Sequence, residues 1–159
     1  MLRRMAPALR VMLALAALSL SGCAEEEEAE SLRAQLQGED FRNSFRRAPG
    51  LARPLHRVDG PHGYFADIYI NRPIADAIDA GVPLSAWPEG SIIVEEAWAT
   101  RESETPDFLL VMERRRDAWF WVSWQGDGSL LSAGEGLRAC VRCHDAGADQ
   151  VRSFGLPPL

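Results

Sequence analysis

The sequence predicts an α+β domain, built mainly on an antiparallel β-sheet with flanking helices and a C-terminal helix. Three observations lead there. "YFADIYIN", "SIIVEEAWAT", "DFLLVMERRR" and "AWFWVSWQ" are four runs of strand length rich in β-branched and aromatic residues. A helical pattern falls between the first two, and further helical patterns lie at the two ends. Strands gathered in succession, with helices set apart from them, are the pattern of an α+β arrangement.

The elements follow in order. "SLRAQLQGEDFRNSFRR" places Leu32, Leu36 and Phe41 at roughly helical spacing. "APGLARPLHRVDGPHG" is rich in Pro and Gly and reads as a loop. "YFADIYIN" alternates as a strand. "RPIADAIDAG" reads as a short helix with Pro73 in its first turn and Gly81 as its stop. "PLSAWPEG" turns the chain into three further strands, the last two joined at Asp117. "GDGSLLSAGEG" then leads into a short helix containing "CVRCH". In "WFWVSW", Trp119, Trp121 and Ser123 share one strand face, while Phe120, Val122 and Trp124 share the other. One face suits a core. The other is either a subunit contact or the wall of a large apolar ligand.

The first 22 residues stand apart. "MLRRMAPALR" supplies Arg3, Arg4 and Arg10, and "VMLALAALSLSG" follows as an apolar run too short to span a bilayer comfortably. This is the order of a secretory signal, so 1–22 is expected to be a signal peptide. Leu20-Ser21-Gly22-Cys23 resembles a bacterial lipoprotein box, in which Cys23 takes the lipid. Ala24, where an Asp would retain the protein at the inner membrane, points to the outer membrane, facing the periplasm. "AEEEEAE" is expected to be a solvated tether over 23–31, its glutamates repelling one another. The remaining 32–159 fit one domain. Loss of three of the 17 Arg with the signal leaves 14 against 23 acidic residues, a net charge of −9. Such a surface excludes nucleic acid as a partner and favours a basic redox partner protein.

Cysteine usage narrows the chemistry. With Cys23 lipidated, the only two of the three cysteines left are Cys140 and Cys143, both inside CVRCH. That motif reads as a covalent haem c site. Two intervening residues on a helical turn bring both thiols to one porphyrin edge, and His144 supplies an axial ligand to the iron. A dithiol redox site would want a strand before the motif. A zinc site would need both thiols, His144 and one of His56 or His62. For the iron's sixth position, only fifteen residues follow His144, and none is Met or His. Met112 lies in a strand pattern and suits the core. His56 and His62 lie in the Pro/Gly-rich stretch. The expectation is five-coordinate iron with an open face.

From His62 to Phe154 the chain resembles the cytochrome P-460 family, which includes the β-type cytochromes c prime. The resemblance rests on "HGYFADIYIN", "WPEGSIIVEE", "DAWFWVSW" and "CVRCHDAGADQVRSF". It implies a mostly antiparallel sheet, often in a homodimer, with five-coordinate haem c. Some members oxidise hydroxylamine; others bind nitric oxide or related gases. Oxidising members carry a Lys whose nitrogen bonds to the porphyrin. Here that position matches Glu95, with Glu96 beside it, and the chain contains no Lys. A carboxylate cannot form that amine bond. Glu135, nine residues before His144, approximately matches a distal acid of some oxidising members. Glu95 and Glu135 are therefore the candidate catalytic acids, and Arg138, Arg142 and Arg152 the candidate partners of haem propionates. Two functions are in view. One is a haem protein that binds nitric oxide or similar ligands, or passes electrons. The other is an enzyme oxidising hydroxylamine or nitric oxide.

Overall fold

The computed structural model describes residues 7–51, 56–60 and 62–158, with side chains from 22 onward except at 56, 59 and 60. The chain opens on helix α1 (Pro7–Gly38) and a single turn, α2 (Phe41–Ser44), followed by β1 (Arg46–Arg47) and β2 (His56–Gly60). Next come β3 (Gly63–Ile70), α3 (Arg72–Ala80), β4 (Ile92–Trp98), β5 (Phe108–Arg114), β6 (Trp119–Gln125) and β7 (Leu130–Glu135). Helix α4 (Arg138–His144) follows the sheet. The seven strands form one sheet in the order β1-β3-β4-β5-β6-β7, with β2 on the same edge of β3 as β1. Every pairing is antiparallel. Among the described residues no helix is long and apolar enough to cross a membrane.

The four expected strands and the α+β class are present. Helix α3 has Pro73 in its first turn and stops at Gly81, whose φ of 59° lets its N–H reach the Ile78 carbonyl at 3.2 Å. Asn71, just ahead of α3, holds the entrance to β4. Its side chain donates to the Gly90 carbonyl at 2.7 Å and accepts from the Ile92 N–H at 2.9 Å.

Three short strands were not expected: β1 falls at the end of the stretch read as a helix, and β2 and β7 fall in stretches read as loops. β1 and β2 add to the edge of β3, and β7 covers the edge of β6 with Gly134 opposite Trp121 and Glu135 opposite Phe120. Their sequences carry little apolar alternation. They are strands because a neighbouring strand offers unpaired backbone groups.

The tether expected over 23–31 is corrected. These residues belong to α1, and Ala29 is fully buried beside Leu32 and Leu36. The spacing of 29, 32 and 36 lays one apolar stripe on the sheet. The neighbouring glutamates stay exposed around it, where water and salt screen their repulsion, and Glu28 pairs with Arg115 of the β5–β6 turn.

The pleat divides the core in two. On one face Val94, Val111, Phe120, Val122 and Trp124 pack under Ala29, Leu32, Leu36 and Phe41. On the other, Ile68, Ile93, Met112, Trp119 and Trp121 pack with Ile74, Trp87 and Val151, and Cys140 and Val141 of α4 close over them. Both faces of the aromatic strand are thus covered within the chain. Met112 sits opposite Trp121 in the strand register and belongs to this second core.

The packed role of α1 yields a stability test. Leu36→Ala should cost about 2–5 kcal/mol, as is usual on emptying a buried leucine site. Ala29→Asp should also destabilise strongly, because it buries a carboxylate, whereas Glu26→Ala should stay within about 0.5 kcal/mol. Urea unfolding followed by tryptophan fluorescence measures all three. A neutral Ala29→Asp would mean that this part of the helix is not packed.

Candidate functional site

The site begins where β7 ends. Gly136, at φ 57°, turns the chain into α4, and the Cys140 and Val141 N–H groups both bond to the Leu137 carbonyl at 2.9 Å. Cys140 and Cys143 lie three residues apart on this helix, so they share one side of it. Both are free thiols, Cys140 half-buried and Cys143 exposed. Burial, reinforced by Cys143, raises the Cys140 pKa.

His144 closes the helix. Its half-buried ring meets Trp121 edge-on at 4.8 Å between centroids, with the planes at 73°. Its Nδ1 lies 2.8 Å from the Gln150 carbonyl oxygen. A carbonyl can only accept, so Nδ1 carries the proton and Nε2 keeps its lone pair. Burial lowers the His144 pKa, against the Gln150 bond, and so favours the neutral imidazole that metal ligation requires.

The segment after the motif holds that carbonyl in place. Asp149 and Gln150 adopt φ of 48° and 64° and fold the chain back against α4, where Val151 bridges to Ala148. A side chain at Gly147 would put its Cβ 2.3 Å from the Val151 carbonyl oxygen, which only glycine avoids. Trp119 Nε1 donates to the Asp149 carbonyl at 2.9 Å. The Asp149 carboxylate accepts from the Trp87 N–H at 2.8 Å and pairs with Arg114 at 3.4 Å. Asp149 and Gln150 went unnoticed in the sequence. A backbone carbonyl leaves no signature there, and an Asp beside Gln in a short tail looks like any surface turn.

The two candidate acids separate. Glu95 of β4 stands opposite Ile68 in the register and shares its face of the sheet. Its Oε2 lies 3.3 Å from Nδ1 of His62, whose ring is 6.2 Å from that of His144 with the planes 20° apart. The bond to Glu95 raises the His62 pKa, while burial opposes it. Glu96 points the other way. It is 2% exposed, bonded to Arg42 and 3.4 Å from the Tyr69 hydroxyl. Burial, then the charges of Glu96 and Asp67, push Tyr69 up to about 12.

The expectation for Glu135 is corrected. It stands opposite Phe120, so it shares that ring's face, the one under α1. It is exposed, and Arg115 lies 3.8 Å away. Its closeness to His144 in sequence does not survive the turn at Gly136. His56 falls in β2, not in a loop, and its side chain lies outside the described residues.

Haem fits this arrangement. Two thiols share one side of α4, His144 offers a free Nε2, and Met112 and Trp121 give an apolar wall. Among the described residues Trp121 Nε1 is buried with no acceptor, a donor that a carboxylate on the ligand would satisfy. Arg138, Arg142 and Arg152 are exposed on and just after α4. Among the described residues no three His, Cys, Asp or Glu side chains converge as a metal cage.

Asp149→Ala should cost about 1–3 kcal/mol by leaving the buried Trp87 N–H without its acceptor. It should also loosen the tail that holds His144, lowering the fraction of chains that carry haem. Glu135→Ala should change neither stability by more than about 0.5 kcal/mol nor haem content. Denaturation midpoints and the ratio of haem to protein absorbance read both.

Comparison with known proteins identifies a family. Residues 39–152 match the family model for cytochrome P-460. No curated protein and no solved structure matched the chain.

Proposed function

Because the chain belongs to the cytochrome P-460 family, we propose that it is an exported mono-haem c protein whose iron takes a small nitrogen-oxide ligand opposite His144. One observation carries this reading: the Gln150 carbonyl claims Nδ1 of His144 and leaves Nε2 for iron, beside two free thiols on one helix. Cys140 and Cys143 would hold the haem covalently, and His144 would be its axial ligand. The haem would supply an iron that binds nitric oxide or hydroxylamine and exchanges single electrons. Trp121 and Met112 exclude water from one side of that space, and the Trp121 indole N–H and the exposed arginines after β7 suit the propionates.

Ligand binding and electron transfer through five-coordinate iron come ahead of catalysis, because the chain has no Lys and Glu95 stands where the resemblance puts the cross-linking one. A second reading, oxidation of hydroxylamine or nitric oxide, draws support from Glu95 itself. It is the one candidate acid on the haem face, and its bond to His62 suits a proton acceptor. The signal at 1–22, a lipid on Cys23 and the net negative charge of the remainder fit an outer-membrane lipoprotein facing the periplasm. A basic redox protein is the partner such a surface would steer, and a homodimer is the family's usual assembly.

Expression with a c-type haem maturation system tests the proposal. Intact mass should show one haem per chain, lost in the Cys140→Ser, Cys143→Ser double variant. The ferrous protein should bind nitric oxide with a shift of its Soret band. Cys23→Ser should move the protein from the membrane to the soluble fraction. An unmodified chain in the presence of active maturation machinery would contradict the haem c reading.

A further inference from the structure

Helix α1 starts at one edge of the sheet and crosses toward the other. Gly22, just ahead of Cys23, shares a groove with Glu26 and with Leu131 of β7. Glu25 lies on the same strand: a Cβ at Gly134 would come within 3.1 Å of its Oε1. Further along, Glu28 pairs with Arg115 of the β5–β6 turn. Beyond the helix, Phe41 meets Tyr69 of β3 at 5.5 Å between ring centroids. The N-terminal end of α1 therefore belongs to β7, the last strand of the sheet, whose outer edge no other strand covers among the described residues.

Almost no slack separates Cys23 from the packed domain. Glu25 already touches β7, and Ala29 is fully buried. At about 1.5 Å per residue, the helix from Cys23 to Ala29 spans only about 9 Å. The run Glu25 to Glu28 supports this short connection. With 1–22 removed, these glutamates fall in the first turns of the helix, where unpaired N–H groups favour negative charge. Cys23 is itself exposed. So is Leu131, at 49%, one of three large apolar side chains left in water among the described residues.

We propose that the lipid on Cys23 holds the domain directly against the bilayer surface, with the β7 edge and Leu131 facing the headgroups. This rests on the lipoprotein reading and deepens it. The exposed carboxylates of Glu26, Glu27 and Glu30 keep α1 itself out of the acyl region, so Leu131 is the side chain that dips inward. The strands then stack away from the membrane in the order β7, β6, β5, β4, β3. With neighbouring strands about 4.8 Å apart, Tyr64 on β3 stands about 19 Å further out than β7, and Trp121 on β6 only about 5 Å. The Trp121 face, where haem would sit, is thus held at the membrane surface. Electrons and small ligands reach it there and not at the end of a flexible arm.

The test uses the full chain, exported and haem-loaded, in phosphatidylethanolamine–phosphatidylglycerol vesicles made with and without brominated phosphatidylcholine. A fluorophore is placed on Leu131→Cys or on Tyr64→Cys, and the ratio of emission in the two kinds of vesicle cancels quenching by the haem. Bromine should remove about half of the emission at 131, a side chain at the headgroup boundary, and none of that at 64. A Gly/Ser insert of roughly eight residues between Ala24 and Glu25 adds a flexible reach of about 16 Å. It should keep the protein on the vesicles and abolish the quenching at 131. Should Leu131→Cys fail to fold, a label at Ser129, exposed just before β7, reads the same edge. Equal quenching at 131 and 64, or none at either, on membrane-bound protein would overturn the inference while leaving the lipid on Cys23 intact. A chain that stays off the vesicles, with no lipid in its intact mass, would instead overturn the lipoprotein reading.

Discussion

Alternation along the strands governs this molecule. Successive residues of a strand leave opposite faces of the sheet, so a single register assigns every side chain to one of two environments. Phe120, Val122 and Trp124 go under α1, while Trp119 and Trp121 go under α4. The same rule parts two adjacent carboxylates. Glu96 enters a buried network with Arg42 and Tyr69, and Glu95 emerges beside His62 and His144. A one-residue slip of β4 would exchange them and turn support into site.

Against that rigid sheet, the tail after the haem motif acts as a clamp. Holding Asp149 and Gln150 in the left-handed region costs about 1–2 kcal/mol each. The bonds they enable offset it: Trp119 to the Asp149 carbonyl, the Trp87 N–H and Arg114 to its carboxylate, and His144 to the Gln150 carbonyl. Packing of Phe154 on Trp87, with ring centroids 5.4 Å apart, extends the clamp. The outcome is an imidazole whose tautomer and orientation are set by the fold before any metal arrives, which is how a protein makes a histidine a good ligand.

Much of this was legible in the sequence because local pattern and global fold agree. The four long strands carry their own β-rich composition, and α3 carries its own Pro start and Gly stop. The proposal of haem c at CVRCH rests on that motif's spacing. The misses have physical reasons. Arg46-Arg47 and "LLSAGE" are strands only because β3 and β6 have edges to fill. The "AEEEEAE" stretch reads as solvated from its charges, yet Ala29 sits at the one helical position that meets the core. Without β7, the face of Glu135 could not be assigned, and nearness to His144 in sequence suggested a role that its register with Phe120 removes. The meeting of His62 with Glu95 joins residues 33 apart, brought together by a sheet register that no local pattern encodes.

The central claim is that His144 offers iron its Nε2 on the Trp121 face of the sheet. The most direct test is a crystal of the haem-loaded protein with anomalous diffraction measured at the iron edge. The account predicts one iron peak within bonding distance of His144 Nε2, with Nδ1 still donating to the Gln150 carbonyl. A peak away from His144, or iron held on the α1 face of the sheet, would contradict it.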